Sequence, residues 1–141
     1  MNASELPHNE CVKVLRAPER SHYCWMSIDG RHPVRLACLV RDDGDLLIPA
    51  TIPRPLIAEL TWRPVTVEFH SRAAHGPSWW TVTGKGLARP LSMNDLPKPL
   101  PHTTILSSDP ESFRHGLRVL VARYTGQRAI GSREETHGPG V

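Results

Sequence analysis

The stretch Trp79-Trp80-Thr81-Val82-Thr83-Gly84-Lys85-Gly86-Leu87-Ala88-Arg89-Pro90 decides how this chain folds. Its residues alternate with period two, so that Trp80, Val82, Gly84 and Gly86 share one face and Trp79, Thr81, Thr83, Lys85 and Leu87 the other. Glycines inside a strand mark a sharp bend, a bulge or a close approach by something else. In a small barrel, bending is the commoner reason, and a long bent strand is what barrel closure needs.

Working outward, the pattern predicts further strands on both sides. Residues 21–28 carry Tyr23, Trp25 and Ile28 and end at Asp29-Gly30, a strong hairpin signal. Residues 32–41 alternate Val34, Leu36, Cys38 and Val40 with Arg35, Ala37, Leu39 and Arg41, and Asp42-Asp43-Gly44-Asp45 turns the chain back. Residues 46–50 make a short strand ended by Pro49, and 64–70 alternate Val65, Val67 and Phe69 with Thr66, Glu68 and His70. A last strand spans 117–128. A short helix is expected as the first element, over 7–15, stopped by Pro18, and a second over 54–61, where Pro55 is acceptable in the first turn. Residues 72–77 read as a loop, and 91–110, rich in Pro, Ser and Asp, as a long connection that covers a surface or lines a site. The predicted architecture is mainly β: an antiparallel six-stranded split β-barrel with short flanking helices over residues 1–130, followed by a Gly-rich tail, 131–141, with no reason to be ordered.

Composition bounds the function. A chain of 141 residues makes one domain with one core. No apolar run reaches the ~18 residues of a membrane span, and the first ten residues do not read as a secretion signal, so a soluble, cytoplasmic protein is expected. Cys11, Cys24 and Cys38 are odd in number and form no C-x-x-C pair, so they read as small buried apolar residues. The eight histidines show no metal-ligand spacing. The net charge of +3 favours phosphate-bearing ligands, but its Lys and Arg are interspersed with acids and form no nucleic-acid stripe.

The order of these elements, with Glu10-Cys11 and Leu15, Asp29-Gly30-Arg31-His32-Pro33, Asp43-Gly44-Asp45, Pro64-Val65-Thr66-Val67-Glu68-Phe69, Trp80-Thr81-Val82-Thr83-Gly84-Lys85-Gly86 and Tyr124-Thr125-Gly126-Gln127-Arg128, resembles the pyridoxamine 5'-phosphate oxidase-like flavin-binding split-barrel family. The resemblance spans roughly residues 6–128. It implies a homodimer with FMN in a groove at the interface and a small-molecule substrate. The flavin ring would lie along Ala37, Cys38 and Leu39, and the phosphate near Pro49, Ala50, Thr51 and Arg54, where charge-assisted hydrogen bonds hold it. The chain departs from the family at one point: Pro49-Ala50 stand where an Arg-Thr pair is common, which leaves Thr51 and Arg54 for the phosphate.

For each residue singled out, two readings stand side by side. Trp79 and Trp80 pack a barrel or dimer core, or Trp80 lies beside the flavin. Lys85 and Arg54 are solvated charges or ligands of the cofactor. Glu68 and His70 are outward neighbours on one strand or an acid–base pair. The resemblance implies a flavin-dependent oxidoreductase with no catalytic acid or base assigned. Its alternatives are a deazaflavin-binding reductase, whose charged cofactor tail suits Arg35, Arg41 and Arg54, and a non-catalytic dimer that holds no flavin.

Overall fold

A computed structural model of the chain describes residues 2–29, 31–71 and 79–130. The elements in chain order are β1 (Asn2–Leu6), α1 (His8–Arg16), β2 (Ser21–Ile28), β3 (Val34–Val40), β4 (Leu46–Ile48), α2 (Arg54–Leu60), β5 (Pro64–His70), β6 (Trp79–Pro90) and β7 (Leu117–Ile130). All pairings are antiparallel in the order β1-β7-β4-β3-β2-β5-β6, and β6 pairs back onto β7 to close a six-stranded barrel with β1 as an added strand. The predicted loop at 72–77 and the tail at 131–141 lie outside the described residues, as does Gly30 of the predicted hairpin. No described helix is long and apolar enough to cross a membrane.

The strands that alternate cleanly form where the alternation predicts. β2 and β5 match their predicted bounds, and Cys24, Met26, Val65, Val67 and Phe69 enter the core. The two glycines of β6 serve different ends. At Gly84 a Cβ would stand 2.6 Å from Cε1 of Tyr124, so the missing side chain makes room for that ring. Gly86 lies against the backbone carbonyl of Leu120, at a bulge where Lys85 pairs with Arg123 but Gly86 with Val121. The extra residue, Ala122, flips the parity of β7, so that Leu117 and Val119 face inward before it and Tyr124 after it. The three cysteines are free and buried.

One expectation needs correction: the first element is not the helix but β1. Its residues show no alternation of their own. They form a strand because β7 offers a free edge from Gly126 to Ile130, against which they pair one for one. α1 then follows, with Cys11, Val14 and Leu15 buried on one side.

β7 is consequently shared. Its first residues pair with β4 and its last with β1, which leaves an edge between Val119 and Gly126 without a strand. Side chains fill that gap: Val121 donates its N–H to Oδ1 of Asp45 at 3.0 Å, and Tyr124 donates to Nδ1 of His8 at 3.1 Å. The Tyr124 hydroxyl donates to the Gly44 carbonyl at 2.6 Å, fixing the β3–β4 turn to the same place.

The long connection covers a surface. Leu96 and Phe113 pack over the outward faces of Leu39 and Leu47, with Leu91, Met93, Leu100 and Leu106 at the margin, forming a second small core outside the barrel. Ion pairs pin it down. Asp95 accepts from Arg89 at 3.0 and 3.1 Å and from Arg118 at 2.8 Å, while Arg118 also donates to Asp45 at 2.6 Å.

Candidate phosphate and flavin groove

β4 ends at Ile48, and the chain crosses Pro49 and Ala50 into α2. Leu60 is buried and Ile52, Leu56 and Ile57 pack against the core, so the helix is held by one apolar side while Arg54 and Ala58 face out. Opposite stands the end of the long connection. The Ala50 N–H donates to the Ser112 carbonyl at 3.0 Å, and burial of Phe113 leaves Arg114 and His115 exposed beside it. His115 sits at φ 68°, and Gly116 passes against the Ile48 carbonyl.

Ala50, Arg54, Ile57, Ala58, Arg114 and His115 line a groove of about 520 Å³. Its charge is positive. The Arg54 side chain makes no hydrogen bond or ion pair among the described residues. Arg114 is held by Glu111 through two hydrogen bonds of 2.8 and 2.9 Å; these bonds and the paired charge push the guanidinium pKa up and pull the Glu111 carboxyl down. The groove thus has one free guanidinium, one already neutralised, and an imidazole. That set suits a phosphate ester better than an apolar ligand.

β3 has an open strand edge. β3 pairs with β4 only at Leu39 and Val40, so residues 34–38 have no strand on that side. The β3–β4 pairing ends at Leu39↔Leu47, and the chain leaves β4 after Ile48 toward Ala50 in the groove. Ala37 is half-buried and paired with Tyr23 on β2, where the Arg35 guanidinium lies 3.9 Å over the phenol ring. Tyr23 and Trp25 are exposed on this outer face.

The remaining predicted site residues are dispersed. Cys38 points into the core; its hydrogen bond with Cys24, together with burial, pushes the thiol pKa up, so only its backbone is open to a ligand. Leu39 is covered by the second core. Thr51 is exposed in the turn before α2 but does not line the groove. Lys85 is exposed on β6 between Thr66 and Arg123. Trp80 is half-buried inside the barrel at its other end, edge-on to His22. Of the seven predicted residues, Arg54 alone lines the groove, and Ala37 lies on β3 outside that lining. Arg114 and His115 are the residues missed, and the only signal was an Arg-His-Gly run just before the last strand. A larger cleft of about 650 Å³ runs outside β6 and β7 along Thr81, Thr83, Thr125 and Gln127, and none of the predicted residues lines it.

An FAD-binding protein from Mycobacterium smegmatis superposes on the chain with a TM-score of 0.62 at 19% identity, covering 91% of this chain and 99% of that one. An FAD-binding protein from Mesorhizobium loti gives 0.63 at 20%, covering 93% and 99%. The fold is the split barrel that these FAD-binding proteins share. A third split barrel, a proposed pyridoxamine 5'-phosphate oxidase from Corynebacterium glutamicum, gives 0.64 at 13% identity over 92% of this chain and all of the other. No family model and no curated protein matches the sequence.

Proposed function

We propose that this split barrel binds a flavin nucleotide, FMN in the first instance, and acts as a flavin-dependent oxidoreductase. The observation that carries the reading is the cationic groove lined by Arg54, Arg114 and His115, and the open edge of β3 at residues 34–38 adds to it. Arg54, Arg114 and His115 fit a phosphate dianion, and the unpaired peptide groups near Ala37 fit the polar edge of a planar ring. Bound there, the flavin supplies the electron or hydride transfer. The chain's own task is then to hold and orient it: Arg54 neutralises the phosphate, and Tyr23, Trp25 and Arg35 give the sheet beside Ala37 a flat aromatic surface.

The exposed Tyr23, Trp25, Trp62 and Leu87 support a homodimer in which part of this surface is covered by a second copy. Arg41 is tied to Asp43 and to the Asp95 carbonyl, which leaves fewer cations for a deazaflavin tail than the sequence offers.

Titration of purified protein with FMN, FAD and a deazaflavin, followed by cofactor fluorescence, tests the reading. FMN is expected to bind, and Arg54→Ala to weaken it about 10- to 100-fold, since a hydrogen bond to a charged group contributes about 1.5–3 kcal/mol. Absence of binding by any of the three, or equal FMN affinity in Arg54→Ala, refutes it. Dithionite bleaching and reoxidation of the bound FMN test the redox role, and light scattering tests the dimer.

A further inference from the structure

We propose that the outer face of the barrel carries a second anion site, at Lys85 and Arg123, that takes a small phosphate monoester with a hydroxyl-bearing body. The two residues are direct partners in the β6–β7 ladder. Val82 and Tyr124 on the same strands are buried in the core, so the alternation sends Lys85 and Arg123 outward, and both are exposed. Side chains directly opposite on one face stand about 5 Å apart at their Cβ atoms, and like charges so placed repel. Neither cation has an ion pair or side-chain hydrogen bond among the described residues. On the next strand, β5, Glu68 lies opposite Thr83 and bonds to neither of them. Asp45, near the other side of β7, is taken up by Arg118 and the Val121 N–H. Two unneutralised cations on neighbouring strands suit a dianion, which a phosphate monoester supplies near neutral pH.

The body of the ligand is read from the cleft that these cations head. Arg123 stands at one end of the cleft of about 650 Å³ outside β6 and β7, and Lys85 lies opposite it, just beyond the lining. From there the cross-strand pairs Thr83↔Thr125 and Thr81↔Gln127 lead to Glu5, which pairs with Gln127 from β1. None of these five side chains has a partner among the described residues. From Arg123 to Gln127 the strand rises about 13 Å, at about 3.3 Å per residue. The cleft therefore has a cationic end, a run of hydroxyl and amide groups, and a carboxylate end. Glu5 disfavours a second anion there and accepts from a hydroxyl instead. His8 adds a donor: its Nδ1 accepts the Tyr124 N–H at 3.1 Å, which puts the proton of the neutral ring on Nε2. A sugar or polyol phosphate matches this order of groups. The cleft shares no lining residue with the groove at Arg54.

The probes are ribose 5-phosphate, inorganic phosphate and ribose, each titrated into the whole chain by calorimetry at low salt. Ribose 5-phosphate is expected to bind more tightly than inorganic phosphate, and ribose to bind weakest. Arg123→Gln should weaken ribose 5-phosphate about tenfold or more, since a hydrogen bond to a charged group is lost. The same variant should not lower the urea midpoint, because it relieves a like-charge pair. Thr125→Val should weaken the sugar phosphate about threefold and leave inorganic phosphate unchanged. Arg54→Ala should leave ribose 5-phosphate binding as it was. The proposal is overturned if Arg123→Gln binds ribose 5-phosphate unchanged or unfolds at a lower midpoint, which would make Arg123 a structural residue. It is overturned equally if ribose 5-phosphate binds no tighter than inorganic phosphate, or if Arg54→Ala abolishes its binding. Loss of FMN affinity in Arg123→Gln also overturns it, because this cleft would then be part of the flavin site.

Discussion

Replacing Asp95 by Asn removes the carboxylate at the centre of the cluster that fastens the long connection to the barrel. Burial alone would raise the Asp95 pKa, but hydrogen bonds from Arg89, the Ser92 amide and Arg118 outweigh it and lower the carboxyl from 3.8 to about 2. A group depressed on folding stabilises the native state above its unfolded pKa and loses that contribution as pH falls toward the folded value. At about 1.4 kcal/mol per pKa unit, the shift is equivalent to roughly 2 kcal/mol near neutral pH, of which roughly half is gone by pH 3. The figure is an upper one, because Asp43 in the same cluster is 45% exposed and admits solvent screening. Asn would keep the shape while turning an amide donor toward Arg89 or Arg118. Urea unfolding of the wild type and Asp95→Asn near pH 7 and near pH 3 reads the difference directly. The variant should lose about 2 kcal/mol near pH 7 and about half as much near pH 3. A loss below about 0.5 kcal/mol near pH 7, or the same loss at both, would refute the assignment of this carboxylate as the clamp.

Two further substitutions probe the barrel seam. Gly84→Ala puts a Cβ 2.6 Å from a Tyr124 ring that its hydroxyl bond to Gly44 and its stacking on His8 prevent from retreating, so a loss of about 1–3 kcal/mol is expected in urea melts. An unchanged midpoint would mean that the ring moves freely. Tyr124→Phe leaves the Gly44 carbonyl without its donor and should cost about 1–2 kcal/mol, with a thermal scan as the check. A neutral result there would show that water replaces the hydroxyl.

The legible parts of the fold were those where local pattern and tertiary partner agree. β2 and β5 alternate because one face of each is buried, so their bounds were readable to the residue. β1 was not readable, since Asn2-Ala3-Ser4-Glu5-Leu6 owes its conformation to the free edge of β7 and not to any periodicity of its own. The bulge at Ala122 was hidden for a similar reason. Leu117, Val119 and Val121 set up a parity that Tyr124 breaks, and only the pairing of β6 with β7 fixes where the extra residue goes. In the candidate groove, Arg54 was reachable through its place after the third predicted strand. Arg114 and His115 lie some sixty residues further on and reach the groove only because Phe113 is buried beneath them.

One mismatch of strand lengths accounts for both the split in the barrel and its candidate site. β4 has three residues, whereas its neighbours β3 and β7 have seven and fourteen. Each neighbour therefore runs past the end of β4 with backbone groups that lack a strand. On β7 the chain supplies substitutes, the Asp45 carboxylate and the His8 imidazole, and that edge is closed. On β3 no described side chain bonds the peptide groups of residues 34–38 from that side. The open edge thus offers peptide groups to which a ligand with polar edges could bond under the proposed function. The proposed flavin would use the two features together, its phosphate on Arg54 and its ring edge on β3, and FMN titration of Arg54→Ala reads the first of these.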